Sequence, residues 1–561
     1  EVFDDFARQP LLPCRLSQPG PGVAWFDING DGWDDVIIGS GKGGVLAAFV
    51  NNRKGGFEKL TEAPFNQPVT RDQTTVLGWR KAAGRPAILV GSANYEDGLA
   101  IGAAVRLYDV KSKTVQDVVP AQTSSTGPMA MADVDNDSDL DLFVGGRVIA
   151  GAYPEPATSM LFRWSGSSWT PDTENNGRLE KIGLVSGAVF SDIDGDGDAD
   201  LLLACHWGPI RMFRNTNGRF ADATAELKLE QFTGWWNGII TGDFDNDGRL
   251  DIVASNWGRN TKYESFRQKP LSVLYRDVDA NGNVDAIEAY QDTRSRLLPL
   301  QPFHVVGAAL PLLRERLGTF DRYATATLPE IYAEEFKALK ELKASVLDSM
   351  VFLNRGNHFE ARPLPAEAQL SPAFAICVAD FDGDGNEDIF LSQNFFATHP
   401  ETSRYDAGRG LLLKGDGHGN FRPMSGQESG ILVYGEQRGA AASDYDQDGR
   451  TDLVVTQNGA ETRLLRNATG KPGLRVRLQG AAGNPDGIGA TIRIGTAEHL
   501  GPAREVHAGS GYWSQDSPVQ VMGFAEPATR VVVRWPNGGS VTNEIPAGAR
   551  EVTVRLAAER K

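Results

Sequence analysis

Seven stretches of the chain repeat one acidic phrase, D-x-[DN]-x-[DN]-[GS]-x-x-D, each followed by an apolar run such as VIIGS, LFVGG, LLLAC or LVVTQ. The acids alternate with other residues, so the side chains at positions 1, 3 and 5 point to one side of a loop. Position 6 is Gly in six copies and Ser138 in the other. That chemistry suits a hard cation that takes six to eight oxygens, and calcium is the cation such loops hold. The candidate ligands are Asp27, Asn29, Asp31 and Asp35; Asp133, Asp135, Asp137 and Asp141; Asp192, Asp194, Asp196 and Asp200; and Asp243, Asp245, Asp247 and Asp251. They continue as Asp277, Asp279, Asn281 and Asp285; Asp380, Asp382, Asp384 and Asp388; and Asp444, Asp446, Asp448 and Asp452. Up to seven Ca²⁺ are expected. One such phrase is also a good surface turn; seven with the same ninth Asp are not explained that way. An EF-hand closes with Glu at position 12 and a helix. Here the closing acid is at position 9 and a β-run follows, so each loop joins two strands.

The rest of the composition bounds the fold. The chain has 561 residues and a formal charge of −17, from 73 acidic and 56 basic residues. The loops take 26 of the acids, leaving 47 against 56 basic residues. The negative charge is therefore concentrated where cations are expected, and nothing favours a nucleic-acid partner. No run approaches the ~18 apolar residues of a membrane span. The chain begins at Glu1, which reads as a mature form after signal removal. Cys14, Cys205 and Cys377 show no metal or redox spacing, and Cys205 and Cys377 lie in apolar runs as core residues.

Internal repetition sets the architecture. The first aspartates are spaced by 106, 59, 51, 34, 103 and 64 residues. Steps near 50 to 60 fit four-stranded propeller blades. The step of 106 is two blades, the acid-free one being GWRKAAGRPAILVGSAN, Gly78 to Asn94. Asp243 and Asp277 belong to one enlarged blade, interrupted at about 300–350 by a helical insertion. Its signals are a capping box at Thr327 and Glu330, then Ile331, Phe336, Leu339, Leu342 and Val346 at helical spacing. The expected fold is all-β: a seven-bladed β-propeller over 1–469, eight-bladed if Asp277 opens its own blade. After Gly470, period-2 runs such as LRVRLQG and TRVVVRWPNGG predict a β-sandwich-like unit over 470–561. GSGYWSQDSP, from Gly509, reads as an ordered loop.

The acidic phrase with its β-run resembles the FG-GAP/VCBS repeats of integrin-α-type propellers. The C-terminal segment resembles the ASPIC/UnbV domain through Gly487-Ile488-Gly489-Ala490, Arg504-Glu505-Val506, Gly509-Ser510-Gly511-Tyr512 with Ser514-Gln515, and Trp535-Pro536-Asn537-Gly538. The combination is similar to bacterial secreted VCBS-repeat proteins. The resemblance implies a secreted, extracellular or cell-envelope location and calcium-dependent binding, without implying one reaction. The acid-free blade and the helical insertion depart from the pattern.

If the acidic loops share one face, the strand ends opposite them converge near the channel. Those ends carry Asn94, Arg147, His206, Trp207, Trp236, Asn237, Asn256, Trp257, Asn394, Arg438 and Asn458. Amides, aromatic faces and two arginines could form a cup for a glycan or protein segment; equally, they are turn-capping and packing residues. Asn467-Ala468-Thr469 matches a glycosylation sequon. The first functional reading is a calcium-binding adhesion module. A second is a structural subunit self-assembling into a surface layer or fibre, with the free segment Glu1 to Pro13 docking on a neighbour. A third is a polysaccharide-acting enzyme using the cup. No nucleophile elbow, phosphate loop or HExxH motif supports catalysis.

Overall fold

In the computed structural model, residues 3–81, 84–524, 527–536 and 538–556 are described. Glu1, Ala82, Ala83 and Asn537 of the Trp535–Gly538 motif lie outside them. The architecture is all-β with many sheets. Seven sheets follow one another along the chain, and in each the first strand is long-buried and the strands add outward in sequence order. The first strands are Val23–Phe26, Gln73–Lys81, Ser124–Ala132, Leu184–Ser191, Ile239–Gly242, Ala373–Ala379 and Glu436–Ser443. Each lies against the next in this order, and Glu436–Ser443 lies back against Val23–Phe26. All but one of these strands are buried along their whole length or nearly so, which is why they read as continuous small and apolar runs rather than alternating ones.

The fifth sheet pairs Ile239–Gly242, Asp251–Ala254, Met350–Asn354 and Phe359–Pro363. The chain leaves it after Ala254 and returns at Met350, as the enlarged-blade reading expects. The Asp277 loop belongs to neither an eighth member of the series nor the fifth sheet itself. It joins Leu271–Arg276 to Asp285–Gln291 in a separate inserted sheet, completed by Leu297–Pro299 and Lys340–Ala344. Short helices between Phe303 and Tyr332 pack on this sheet through Leu310, Leu313, Leu328 and Ile331. The Thr327–Glu330 capping box is present, with the Thr327 N–H donating to Glu330 Oε2 at 2.7 Å. Beyond it the helical periodicity fails. Leu342 lies in a strand, because Lys340–Ala344 completes the edge of the inserted sheet.

The last residues form two sheets, one of Leu474–Gln479, Gln520–Met522 and Glu551–Arg555, the other of Thr491–Gly495, Arg504–Glu505, Arg530–Arg534 and Ser540–Glu544. Val476, Leu478, Ile492, Ile494, Val531, Val533 and Val554 fill the space between them. The same apolar cluster runs on into Leu77, Met129, Met131 and Leu142 of the second and third sheets.

The continuity has a local cause. The Gly509–Ser517 loop enters the space between the seven first strands. Met131 N–H donates to Ala508 O at 2.8 Å, and Ile239 and Gly511 exchange backbone bonds of 3.1 and 2.8 Å. Trp513 Nε1 donates to Ser186 O, Gly78 N–H to Gln515 Oε1, and Ala440 N–H to Ser514 Oγ. Ser514–Gln515 pairs in parallel with Val23–Ala24, and Tyr512 packs its edge on Phe374. First strands of all seven sheets thus touch one loop. Gly509 and Gly511 sit at φ +92° and +59°, and a Cβ there would come within 2.3 Å of Met129 O and 2.6 Å of Ile376 O. Only glycine fits both the left-handed backbone and the close approach.

Candidate metal centres

Each acidic phrase folds into the same turn. In all seven loops the first Asp accepts from the backbone N–H of position 6: Gly32, Ser138, Gly197, Gly248, Gly282, Gly385 and Gly449, at 2.8 to 3.1 Å. Ser138 takes the left-handed conformation at φ +72°, so serine is accommodated at the glycine position. The ninth Asp is a tie. Asp35, Asp141, Asp200, Asp251, Asp388 and Asp452 each accept from an N–H in or just past the third strand, of Asn51, Trp164, Asn215, Asn354, Gly415 and Asn467.

These turns bring carboxylates together. One oxygen from each of Asp133, Asp135 and Asp137 lies within 4.8 Å of the others, as do those of Asp192, Asp194 and Asp196, of Asp243, Asp245 and Asp251, of Asp277, Asp279 and Asp285, and of Asp380, Asp382 and Asp388. Burial, reinforced by the neighbouring aspartates, pushes the ninth carboxyl up to about 8 at Asp200, Asp251, Asp388 and Asp452, and to about 7 at Asp35 and Asp141. Asp192 Oδ1, Asp245 Oδ1 and Asp452 Oδ2 are buried without a hydrogen-bond partner. Crowded, desolvated acceptors with oxygens to spare fit a hard cation of the calcium type. The Asn29 and Asn281 side chains turn their amides to Asp31 and Asp279, so their carbonyl oxygens remain directed to the loop interior, where they accept from Asp31 N–H and Asn283 N–H.

The sequence reading missed two partners of these loops. One is a basic side chain at the end of the third strand. Arg53 reaches Asp31, Arg163 reaches Asp135 and Asp141, Arg214 reaches Asp194, Arg355 reaches Asp245, Lys414 reaches Asp382 and Asp384, and Arg466 reaches Asp446 and Asp448. Among the described residues, the Asp277 loop has no such partner. The other is an asparagine clamp. Asn51, Asn215, Asn354 and Asn467 donate their side-chain amides to Tyr445 O, Val134 O, Ile193 O and Phe381 O, the second residue of the preceding sheet's loop, at 2.7 to 2.9 Å. The signal was in the sequence as Asn followed by Gly within a few residues after an apolar run: VNNRKG, RNTNG, LNRG, RNATG. Asn467, the sequon asparagine, is therefore engaged as a clamp.

The six loops of the seven-sheet series also meet the C-terminal sheets. Asp486 faces Arg80 beside Asp27, Gly483 lies against Asp139, and Arg534 pairs with Asp192 at 2.9 Å. Ala503 N–H donates to Asp243, Gly523 lies against Asp380, and Arg475 pairs with Asp444. Arg504 and Glu387 form a further ion pair that is fully buried.

The proposed cup is not an open one. Asn94, Arg147, His206, Trp207, Trp236, Asn237, Asn256, Trp257, Asn394 and Arg438 are all buried, and only Asn458 is half-exposed. The amides cap neighbouring turns: Asn94 to Leu99 O and Gln122 O, Asn256 to Val346 O, Asn394 to Gly408 O and Gly435 O, Asn458 to Glu436. Trp257 stacks on Trp235 at 4.2 Å, whereas Trp236 turns away to Phe352. Leu12, Cys14 and Leu16 of the N-terminal segment and Tyr263, Leu271 and Val273 of the insertion cover this cluster. The N-terminal segment is itself anchored, with Arg15 N–H on Ala397 O, and Gln9 Nε2 on Tyr153 O and Val284 O. It packs on its own chain rather than standing free for a neighbour.

Residues 192–254 match the FG-GAP-like repeat family, and residues 480–561 match the ASPIC and UnbV family. The chain is similar to cartilage acidic protein 1 of Homo sapiens, 21% identical over 94% of this chain and 61% of the relative, and of Xenopus tropicalis, 21% identical over 94% and 63%. It thus spans under two thirds of the curated relatives' length. Among solved structures, BBS1N in complex with ARL6DN gives a TM-score of 0.39 at 8% identity, covering 82% of this chain and 96% of that one. No helix among the described residues is long and apolar enough to cross a membrane.

Proposed function

We propose that this chain, which carries an FG-GAP-like repeat and an ASPIC and UnbV segment, is an extracellular binding or adhesion protein built as a seven-bladed β-propeller over 1–469 with a β-sandwich over 470–561, its loops held by calcium. The observation that carries the reading is the position of the acidic loops. Six of them face the C-terminal sheets, so cations there would neutralise the seam between the two units as well as each turn. The seventh, Asp277/Asp279/Asn281/Asp285, would brace the inserted sheet. With the channel mouth covered, the partner surface is better sought at the rim. A groove of about 330 Å³ between the second and third sheets is lined by Lys81, Gln116, Asp117, Trp164, Ser168 and Trp169, an aromatic face among polar groups of the kind that suits a glycan or a protein loop.

Limited proteolysis tests the calcium part. In chelator, the chain is expected to be cut near 470 and to release the C-terminal sheets, and in millimolar calcium to resist. Equal resistance in both buffers would count against the reading. Trp164→Ala should abolish capture of a partner found by glycan or protein array, with a parallel melt to separate this from the packing lost against Trp79 and Trp169 at 4.9 Å.

A further inference from the structure

The covered channel mouth holds a charge without a contact partner. Arg147 is 92% buried by its relative exposure of 8%, and among the described residues no carboxylate lies within ion-pair distance of it. Among the described residues its one polar contact is His206, whose ring nitrogens lie 3.2 Å from Nη2. Asn237 fixes what that histidine can be. Asn237 Nδ2 donates to Ala373 O, so its Oδ1 faces His206 Nε2 as an acceptor, and Nε2 carries the proton. Nδ1 is then the acceptor for Arg147, and the imidazole is neutral, its pKa driven well below the ordinary value by burial and by Arg147. A neutral ring takes one guanidinium N–H and brings no opposite charge into contact with it.

The other acids nearby are engaged elsewhere. Glu436 pairs with Arg438 at 2.6 Å, and Glu288 with Lys262 at 2.7 Å. Asp5 accepts from Leu16 N–H, Ser17 N–H and Ser17 Oγ. Burial holds the Cys14 thiol protonated, its pKa pushed up to about 12. Arg147 Nε and Nη1 are buried with no hydrogen-bond partner. So are the indole N–H groups of Trp235 and Trp257, which stack on each other, Trp235 also packing 5.5 Å from the His206 ring. These orphans are all donors. A guanidinium buried without a contact partner is unfavourable, and an acceptor that brings negative charge offsets this more than a water does.

We propose that Arg147 holds a small monovalent anion of the halide class in the buried channel mouth, beneath the N-terminal segment. The ion would accept from the free Nε and Nη1 of Arg147, beneath the packing of Leu12, Cys14 and Leu16. Its size is limited by the surrounding side chains, which are nearly all buried.

Crystals of the full chain grown with bromide in place of chloride test it directly. The expected result is an anomalous peak at the Nε–Nη1 edge of Arg147; a water or empty space there overturns the proposal. In solution, at fixed calcium and fixed ionic strength, the parent should melt several degrees higher in chloride than in gluconate, and rise with chloride concentration as a native-state ligand requires. Arg147→Met should lose that dependence. A chloride response unchanged in Arg147→Met also overturns the proposal, and the bromide experiment stands on the parent protein alone should the variant not fold.

Discussion

At the scale of single residues, the acids divide by what surrounds them. Those of the loops were legible from spacing, since alternation and a turn at position 6 are local properties. Asp516 was not, because its neighbours come from 74 residues away. It is half-buried in the central loop, accepts from Ala442 N–H at 2.6 Å, and is pushed up to about 6, by desolvation first and against the pull of that N–H, His507 and Arg504. The folded chain holds this proton more tightly than the unfolded one. The stability it contributes is present below about pH 4 and is lost as pH rises through 6, roughly 3 kcal/mol for a two-unit shift. Asp516→Asn should therefore gain on the parent as pH rises from 4 to 7 in paired denaturant melts; parallel curves would contradict the assignment. The asparagine clamps are a second residue-scale test. Asn354 gives two amide bonds, to Ile193 O and Leu250 O at 2.9 and 3.1 Å. Asn354→Ala should cost about 1–3 kcal/mol by stranding buried carbonyls, read as a fall in denaturation midpoint with unchanged slope.

At the scale of elements, local pattern foretold the strands and loops better than their company. The Leu271–Arg276 and Asp285–Gln291 hairpin looks like the start of any other sheet, because its acidic loop and apolar runs have the same local chemistry. What sets it apart is that Lys340–Ala344 pairs with it on one side, leaving the fifth sheet to find its outer strands beyond residue 350. Such pairing is decided by chain closure, not by composition. Likewise Leu339 and Leu342 keep a helical spacing, but the open sheet edge takes Lys340–Ala344, Leu342 among them, and offers that segment more hydrogen bonds than a lone turn does. The Gly509–Ser517 loop is the element on which the whole arrangement converges. Trp513, 2% exposed and stacked on Tyr512 at 4.9 Å, fills its centre. Trp513→Ala should destabilise by about 3–5 kcal/mol, and should shift the melting of the C-terminal sheets and of the seven-sheet series together. Loss of a single transition confined to the C-terminal sheets would show that the loop does not couple them.

At the scale of the molecule, the opening imbalance of 73 acids against 56 bases takes on a location. The sequence shows that the excess lies in the loops. It does not show that six of those loops form the seat for the C-terminal sheets, nor that Arg, Lys and Asn residues of third strands surround them, since both depend on how sheets neighbour one another. Nor could it show that strand ends rich in Asn and Trp would be roofed by the chain's own N-terminal segment. If the proposed reading holds, cations are part of the fold and partner binding lies at the rim. Calorimetric titration of the chelator-treated chain with calcium is the most direct test of that claim. It should register uptake of several ions per chain, up to seven, with the melting temperature rising by many degrees as the sites fill. No uptake, with melting the same in calcium and in chelator, would contradict it.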